Sequence, residues 1–172
     1  IITDSASDIV NSDRKDLTVL PMTITFGETE FLDGVTLTHE EFFERLIESD
    51  ALPTTSQISP FAFSQALQKA TQDGSCAIVI TMSGKLSGTY QSACIAAEEF
   101  EGKAFVVDSE NVTVGERALI EYALRLKDEG RTPKEIVQEL NLAKKRIQLI
   151  ALLDTLEYMK KGGRCSAVTA LG

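Results

Sequence analysis

The chain has 172 residues, 43% hydrophobic and 25% charged, with 26 acidic against 17 basic side chains and a formal net charge of −9. That balance is a globular domain's, or that of one domain and a small part of another; it argues against wholesale disorder and disfavours attraction to nucleic acid or an anionic membrane surface. No apolar run reaches the roughly 18 residues of a membrane-spanning helix, and no basic stretch leads into an apolar one as in a signal peptide.

Taken in chain order, apolar runs alternate with helical patterns. Ile1 to Thr3 opens a short strand. Leu17 to Phe26 is a longer β-rich run in which Pro21 argues for an edge or irregular position. Gly27 to Glu30 reads as a turn, and Glu30 to Asp33 as a short returning strand. Thr38 with Glu41 forms a capping box for a helix to Ser49, with Phe42, Phe43, Leu46 and Ile47 on its apolar face. Ala51 to Pro60 reads as a hydroxyl-rich loop. Ser59 and Pro60 then start a helix whose stripe is Phe63, Ala66, Leu67 and Ala70 and whose stop is Gly74.

Cys76 to Met82 is a continuous apolar run, expected of a strand covered on both faces. Ser83 to Gly88 is a tight loop, followed by a helix to Glu99. Ala104 to Val107 is a strand. Val114 to Glu129 is a helix with Ala118, Leu119, Tyr122, Ala123 and Leu126 inward, and Gly130 ends it. Thr132-Pro133-Lys134-Glu135 caps the next helix, which runs to about Arg146. Ile147 to Leu153 is expected to be a further buried strand, and Asp154 to Lys161 a short helix closed by Gly162-Gly163. Alternation of this kind predicts an α/β fold, a largely parallel sheet flanked by helices, with ligands beyond the carboxyl ends of the strands.

The segments leaving the strands are rich in small hydroxyls: Thr3-Asp4-Ser5, Thr54-Thr55-Ser56, Ser83 to Thr89, Asp108-Ser109 and Asp154-Thr155. Asp4, Asp108 and Asp154 are accounted for as ordinary caps. The Thr54 and Ser83 segments hold more hydroxyls than caps require, and Gly84 and Gly88 permit close backbone approach. A hydroxyl beside a glycine-opened helix start suits an anionic oxygen, carboxylate or phosphate.

Other chemistries lack their residues. There is no G-x-G-x-x-G, no G-x-x-x-x-G-K-[ST], and Ser87 lacks a nucleophile elbow because residue 85 is Lys. The single histidine, His39, beside Glu40 and Glu41, reads as an exposed residue of a first helical turn, so no His-paired metal site is expected. Cys76, Cys94 and Cys165 are widely spaced and form no C-x-x-C, as expected of buried or inert thiols in a reducing cytoplasm. Two alternatives stay open at the same rim: a serine-dependent hydrolase or transferase using Ser87 with a base from beyond position 172, and a binding module for a phosphorylated metabolite.

Five segments carry a resemblance in order along nearly the whole chain: Ile2-Thr3-Asp4-Ser5-Ala6; Pro53-Thr54-Thr55-Ser56-Gln57; Leu86-Ser87-Gly88-Thr89-Tyr90-Gln91-Ser92-Ala93; Val107-Asp108-Ser109; and Asp154 to Arg164, DTLEYMKKGGR. Together they resemble the DegV family of bacterial fatty-acid-binding proteins, to which the carrier subunits of the bacterial fatty acid kinase belong. The resemblance implies an N-terminal lobe of the DegV (EDD) fold and a bound long-chain fatty acid as ligand, with no catalytic residue of its own. It implies that Thr55 and Ser87 hydrogen-bond the carboxylate, with Ser56, Gly88 and Arg164 as secondary candidates. It also implies an apolar tunnel between two lobes and a partner kinase subunit that phosphorylates the presented acid. Residue 1 is not Met, and the chain stops soon after Arg164-Cys165-Ser166, where the family continues into a second lobe. The expectation is therefore a segment of a longer polypeptide, with 1–160 as the binding lobe and 161–172 as the start of a connection to the second. Cys165 stands where the family has an apolar residue, a change expected to bear on packing.

Overall fold

A computed structural model describes residues 1–10, 12–49 and 52–164. The elements run β1 (Ile2–Asp4), β2 (Thr18–Leu20), β3 (Thr23–Phe26), β4 (Thr29–Leu32), α1 (His39–Glu48), β5 (Thr54–Ser56) and α2 (Pro60–Thr71). They continue with β6 (Ala77–Thr81), α3 (Thr89–Ala97), β7 (Ala104–Asp108), α4 (Val114–Asp128), α5 (Pro133–Ala143) and α6 (Glu157–Lys161). Short 3-10 turns come after β1, α3 and α5.

Four strands form a wholly parallel sheet of order β2-β1-β6-β7. Its centre is β6, whose five residues are all buried. Successive side chains of a strand point to opposite faces, and β6 divides accordingly. Ala77 and Val79 join Phe63, Leu67, Ala93 and Ala96 of α2 and α3, while Ile78 and Ile80 join Leu119, Ile120, Ile136 and Leu140 of α4 and α5. The apolar run without polar alternation is thus the signature of a strand covered twice. On α4 the buried stripe is broader than the expected one. Packed by both sheet and α5, it takes in Glu116, Ile120 and Leu124, whereas Ala118 faces outward.

The β-rich run from Leu17 to Phe26 splits at Pro21. β2 joins the parallel sheet, while β3 enters a second, antiparallel sheet of order β4-β3-β5. Pro21 has no amide hydrogen to continue a ladder, and the next amide, Met22 N–H, donates to Ser5 Oγ at 3.1 Å. Gly27 makes the β3–β4 turn at φ +60°, a conformation open to glycine at little cost. The expected loop before Pro60 contains a strand instead: Thr54, Thr55 and Ser56 pair with Thr25, Ile24 and Thr23.

Both capping boxes and the Ser59–Pro60 helix start form as expected. The apolar face of α1 does not become core. No residue of α1 is buried, and Phe43 and Ile47 remain 60% and 85% exposed. Phe42 meets Phe26 edge-on at 5.7 Å, and Arg45 stacks on Phe31 at 4.7 Å, so α1 lies against the small sheet.

Ile147 to Leu153 corrects the expectation of a buried strand. The segment has no regular structure, and Ile150 and Leu152 are 89% and 99% exposed. None of the described strands pairs with it, so its apolar pattern has no ladder to join. Of the thiols expected to be buried or inert, Cys76 is exposed and Cys94 half-buried, both free, and Cys165 lies outside the described residues.

Candidate functional site

The parallel sheet changes winding direction between β1 and β6, and the segments leaving their carboxyl ends meet there. Asp4, last residue of β1, is buried and accepts from two backbone amides: Ala6 N–H at 3.1 Å and Met82 N–H at 2.9 Å. Burial nevertheless pushes its carboxyl up to about 6, against the pull of those amides. Beside it, Thr3 Oγ donates to Glu116 at 3.2 Å, and burial, reinforced by the Asp4 charge, lifts Glu116 to about 9.

The loop after β6 is held from several sides. Ser83 N–H donates to Asn111 O at 2.7 Å, Gly84 N–H to Asp108 Oδ1 at 3.2 Å, and Leu86 and Ser87 N–H groups to Ser83 O. Asp108, like Asp4, thus binds backbone amides, including Glu110 N–H at 2.8 Å. Ser87, just ahead of α3, accepts at Oγ from Thr89 N–H at 3.2 Å and lies 3.0 Å from Thr89 Oγ1.

Gly88 has a neighbour that explains it. A Cβ there would fall 1.8 Å from Gln57 Oε1, while Gln57 Nε2 donates to Ser92 Oγ at 3.2 Å. The close approach that Gly88 permits is therefore that of Gln57, which ties the end of β5 to α3. Gly84 is crowded by Asp108 and Tyr90, each 3.0 Å from the position a Cβ would take.

A pocket of 410 Å³ opens at this junction, lined by Met22, Thr55, Met82, Leu86, Ser87, Tyr158, Met159, Gly162 and Arg164. It gathers Thr55, Ser87 and Arg164 from three distant segments. Thr55 comes from β5, where its neighbours Thr54 and Ser56 point to the other face of the strand. Neither Ser56 nor Gly88 lines the pocket. Arg164 follows the Gly162-Gly163 turn; its amide donates to Met159 O at 2.9 Å and its guanidinium to Gly162 O. Of the described lining residues, Arg164 alone is cationic and none is acidic. The lining combines methionine and leucine surface and the Tyr158 ring with the two aliphatic hydroxyls of Thr55 and Ser87 and one guanidinium, a match for an amphiphile with an anionic head.

Sequence reasoning assigns no role to Met22, Met82, Leu86 or Met159, nor to Gln57 and Thr89, although several lie within the quoted segments. The one local signal is Pro21, which ends β2 and delivers Met22 to the junction. His39 is exposed in the first turn of α1. Among the described residues, no group of three or more His, Cys, Asp and Glu could hold a metal ion, and no helix is long and apolar enough to cross a membrane.

Comparison with known proteins bears on this geometry. The family model described as "Uncharacterised protein, DegV family" matches residues 1–171. The chain belongs to the DegV family. A DegV domain-containing protein of Clostridium perfringens is 39% identical over 99% of this chain and 62% of its own length. A Thermus thermophilus structure, described by the fatty acid binding of a DegV family protein, superposes with a TM-score of 0.83 at 32% identity, covering 95% of this chain and 59% of that one. A DegV family protein of Eubacterium eligens, loaded with heptadecanoic acid, gives 0.83 at 26% identity, over 99% and 62% of the two chains. The chain thus spans about three fifths of the length of these DegV relatives.

Proposed function

We propose that this chain is the part of a fatty-acid-binding protein that holds the carboxylate. Thr55 and Ser87 donate hydrogen bonds to the head group, and the methionine and leucine surface receives the first methylenes. The observation that carries this reading is the single pocket shared by Thr55, Ser87 and Arg164 over an apolar lining. The fatty acids named for the Thermus and Eubacterium relatives support the same ligand class.

Magnitudes divide the labour. Burying about 14 methylenes is worth ~11 kcal/mol gross, and each hydrogen bond to a charged group ~1.5–3 kcal/mol. The tail therefore sets affinity and the hydroxyls set orientation. Among the described residues Ser87 Oγ is bonded to Thr89 and not to a base, which favours a hydrogen-bonding role over that of a nucleophile. In this reading residues 1–160 are the binding lobe, 161–172 lead toward a second lobe that closes the tunnel, and the site of action is the cytoplasm. The bound acid is presented to a kinase subunit, and Arg164 steadies the growing charge of an acyl phosphate.

Organic extraction of the purified protein followed by mass spectrometry should release a long-chain fatty acid. Thr55→Ala and Ser87→Ala should each weaken binding about tenfold or more, with smaller effects from Thr54→Ala and Ser83→Ala. Equal effects from all four, or an affinity flat with acyl length, would remove the assignment. Arg164→Ala should leave binding largely intact while slowing acyl-phosphate formation.

A further inference from the structure

Ser87 is half-exposed at the pocket, but Thr89, two residues on, is completely buried. Among the described residues the Thr89 hydroxyl has one partner, Ser87 Oγ at 3.0 Å. A hydroxyl carries one proton and two lone pairs. If Ser87 donated to Thr89, the Thr89 proton would be buried with no acceptor, which is costly. Thr89 therefore donates. Its hydroxyl takes one lone pair of Ser87 Oγ and its amide, at 3.2 Å, takes the other. The Ser87 proton remains, and it can be given only outward.

We propose that Thr89 is a positioning residue that makes Ser87 an obligate hydrogen-bond donor and so selects an ionised carboxylate over a neutral polar head. The inference rests on the fatty-acid reading above. A carboxylate offers only acceptors and requires a donor from the protein, whereas an alcohol can donate or accept and is indifferent to the polarity of Ser87. Selection then comes from the buried partner that orients the serine, as well as from the serine itself.

The test compares hexadecanoate with hexadecan-1-ol, each displacing a bound fluorescent fatty acid, in wild type, Thr89→Val and Thr89→Ser. Thr89→Val keeps the shape and removes the donor. It should narrow the acid-to-alcohol preference by about tenfold, mainly through weaker acid binding, and Thr89→Ser should restore it. Should the valine variant not fold, Thr89→Ala carries the same comparison. An unchanged preference, with both ligands weakened alike or neither weakened, would overturn the proposal, as would failure of Thr89→Ser to restore it. Wild type that displaces the probe with neither ligand would instead overturn the fatty-acid reading beneath it.

Discussion

The parallel sheet and the small antiparallel sheet differ in what covers them. β6 lies between two helical layers and buries every residue. β4 and β5 have no fully buried residue, β3 has only Ile24, and the helix beside them has none. The first region is a core in its own right; the second is a flap held by one hairpin, one short strand pairing and a few aromatic edges. The candidate site spans both, with Ser87 on the rigid wall and Thr55 on the thin one. Burial, more than secondary structure, decides which wall is free to adjust to a ligand.

The sharpest way to break this contrast is to empty both regions. Phe63→Ala or Leu140→Ala removes a side chain with no exposure and should destabilise by ~3–5 kcal/mol. Phe42→Ala removes edge-on aromatic contacts between α1 and β3 and should loosen the small sheet locally by about 1 kcal/mol, moving the global midpoint far less than the core changes do. Urea unfolding measures both. Equal losses would mean that the small sheet belongs to the same cooperative unit as the large one.

A second effect is confined to the parallel sheet. Glu116 is raised from 4.5 to about 9, first by burial and then by the Asp4 charge, with Asp8 and Asp108 adding smaller repulsions. Because the folded state keeps a proton that the unfolded chain has released, stability falls as pH rises from 4.5 toward 9, and the group has no net effect below 4.5. Near pH 8 the loss is on the order of a few kcal/mol. Glu116→Gln should therefore melt above wild type at pH 8, with the two curves converging toward pH 4.5. Asp4, raised to about 6, adds a loss of the same sign between 3.8 and 6 in both proteins. Parallel melting curves across this range would show that Glu116 is not held protonated.

The same contrast governs what is legible in the residues alone. β6 is legible because its apolar run needs no partner to be recognised, and α2 because Ser59-Pro60 marks its start chemically. Thr54 to Ser56 reads as loop because three hydroxyl residues become a strand only when β3 offers its edge. Ile147 to Leu153 fails in the opposite sense: its pattern promises burial, but a strand also needs a neighbour, and none of the described strands is one. At the site, Thr55, Ser87 and Arg164 are reached through sequence motifs. Gln57 and Thr89 act through contacts to other residues, Gln57 across two elements, and contacts of that kind have no local signature.

The smallest expected effect compares one motif in the two regions. Thr38 and Thr132 each begin a capping box, and in both the threonine amide donates to the glutamate Oε2, three residues on, at 2.8 Å. Locally the two are equivalent, and Thr→Ala at either removes the side-chain acceptor for an otherwise unsatisfied helix amide. They differ in what the helix carries. α5 packs Ile136 and Leu140 into the core, so fraying its first turn loosens the side of the core that Ile136 closes, and Thr132→Ala should lower global stability by about 1 kcal/mol. α1 buries nothing, so Thr38→Ala should leave the global unfolding midpoint nearly unchanged. Its loss should appear instead as faster hydrogen exchange confined to the amides of α1. A global loss at Thr38 matching that at Thr132 would show that α1 is coupled to the core through the aromatic contacts of Phe26 and Phe42, and that the wall carrying Thr55 is as firm as the one carrying Ser87.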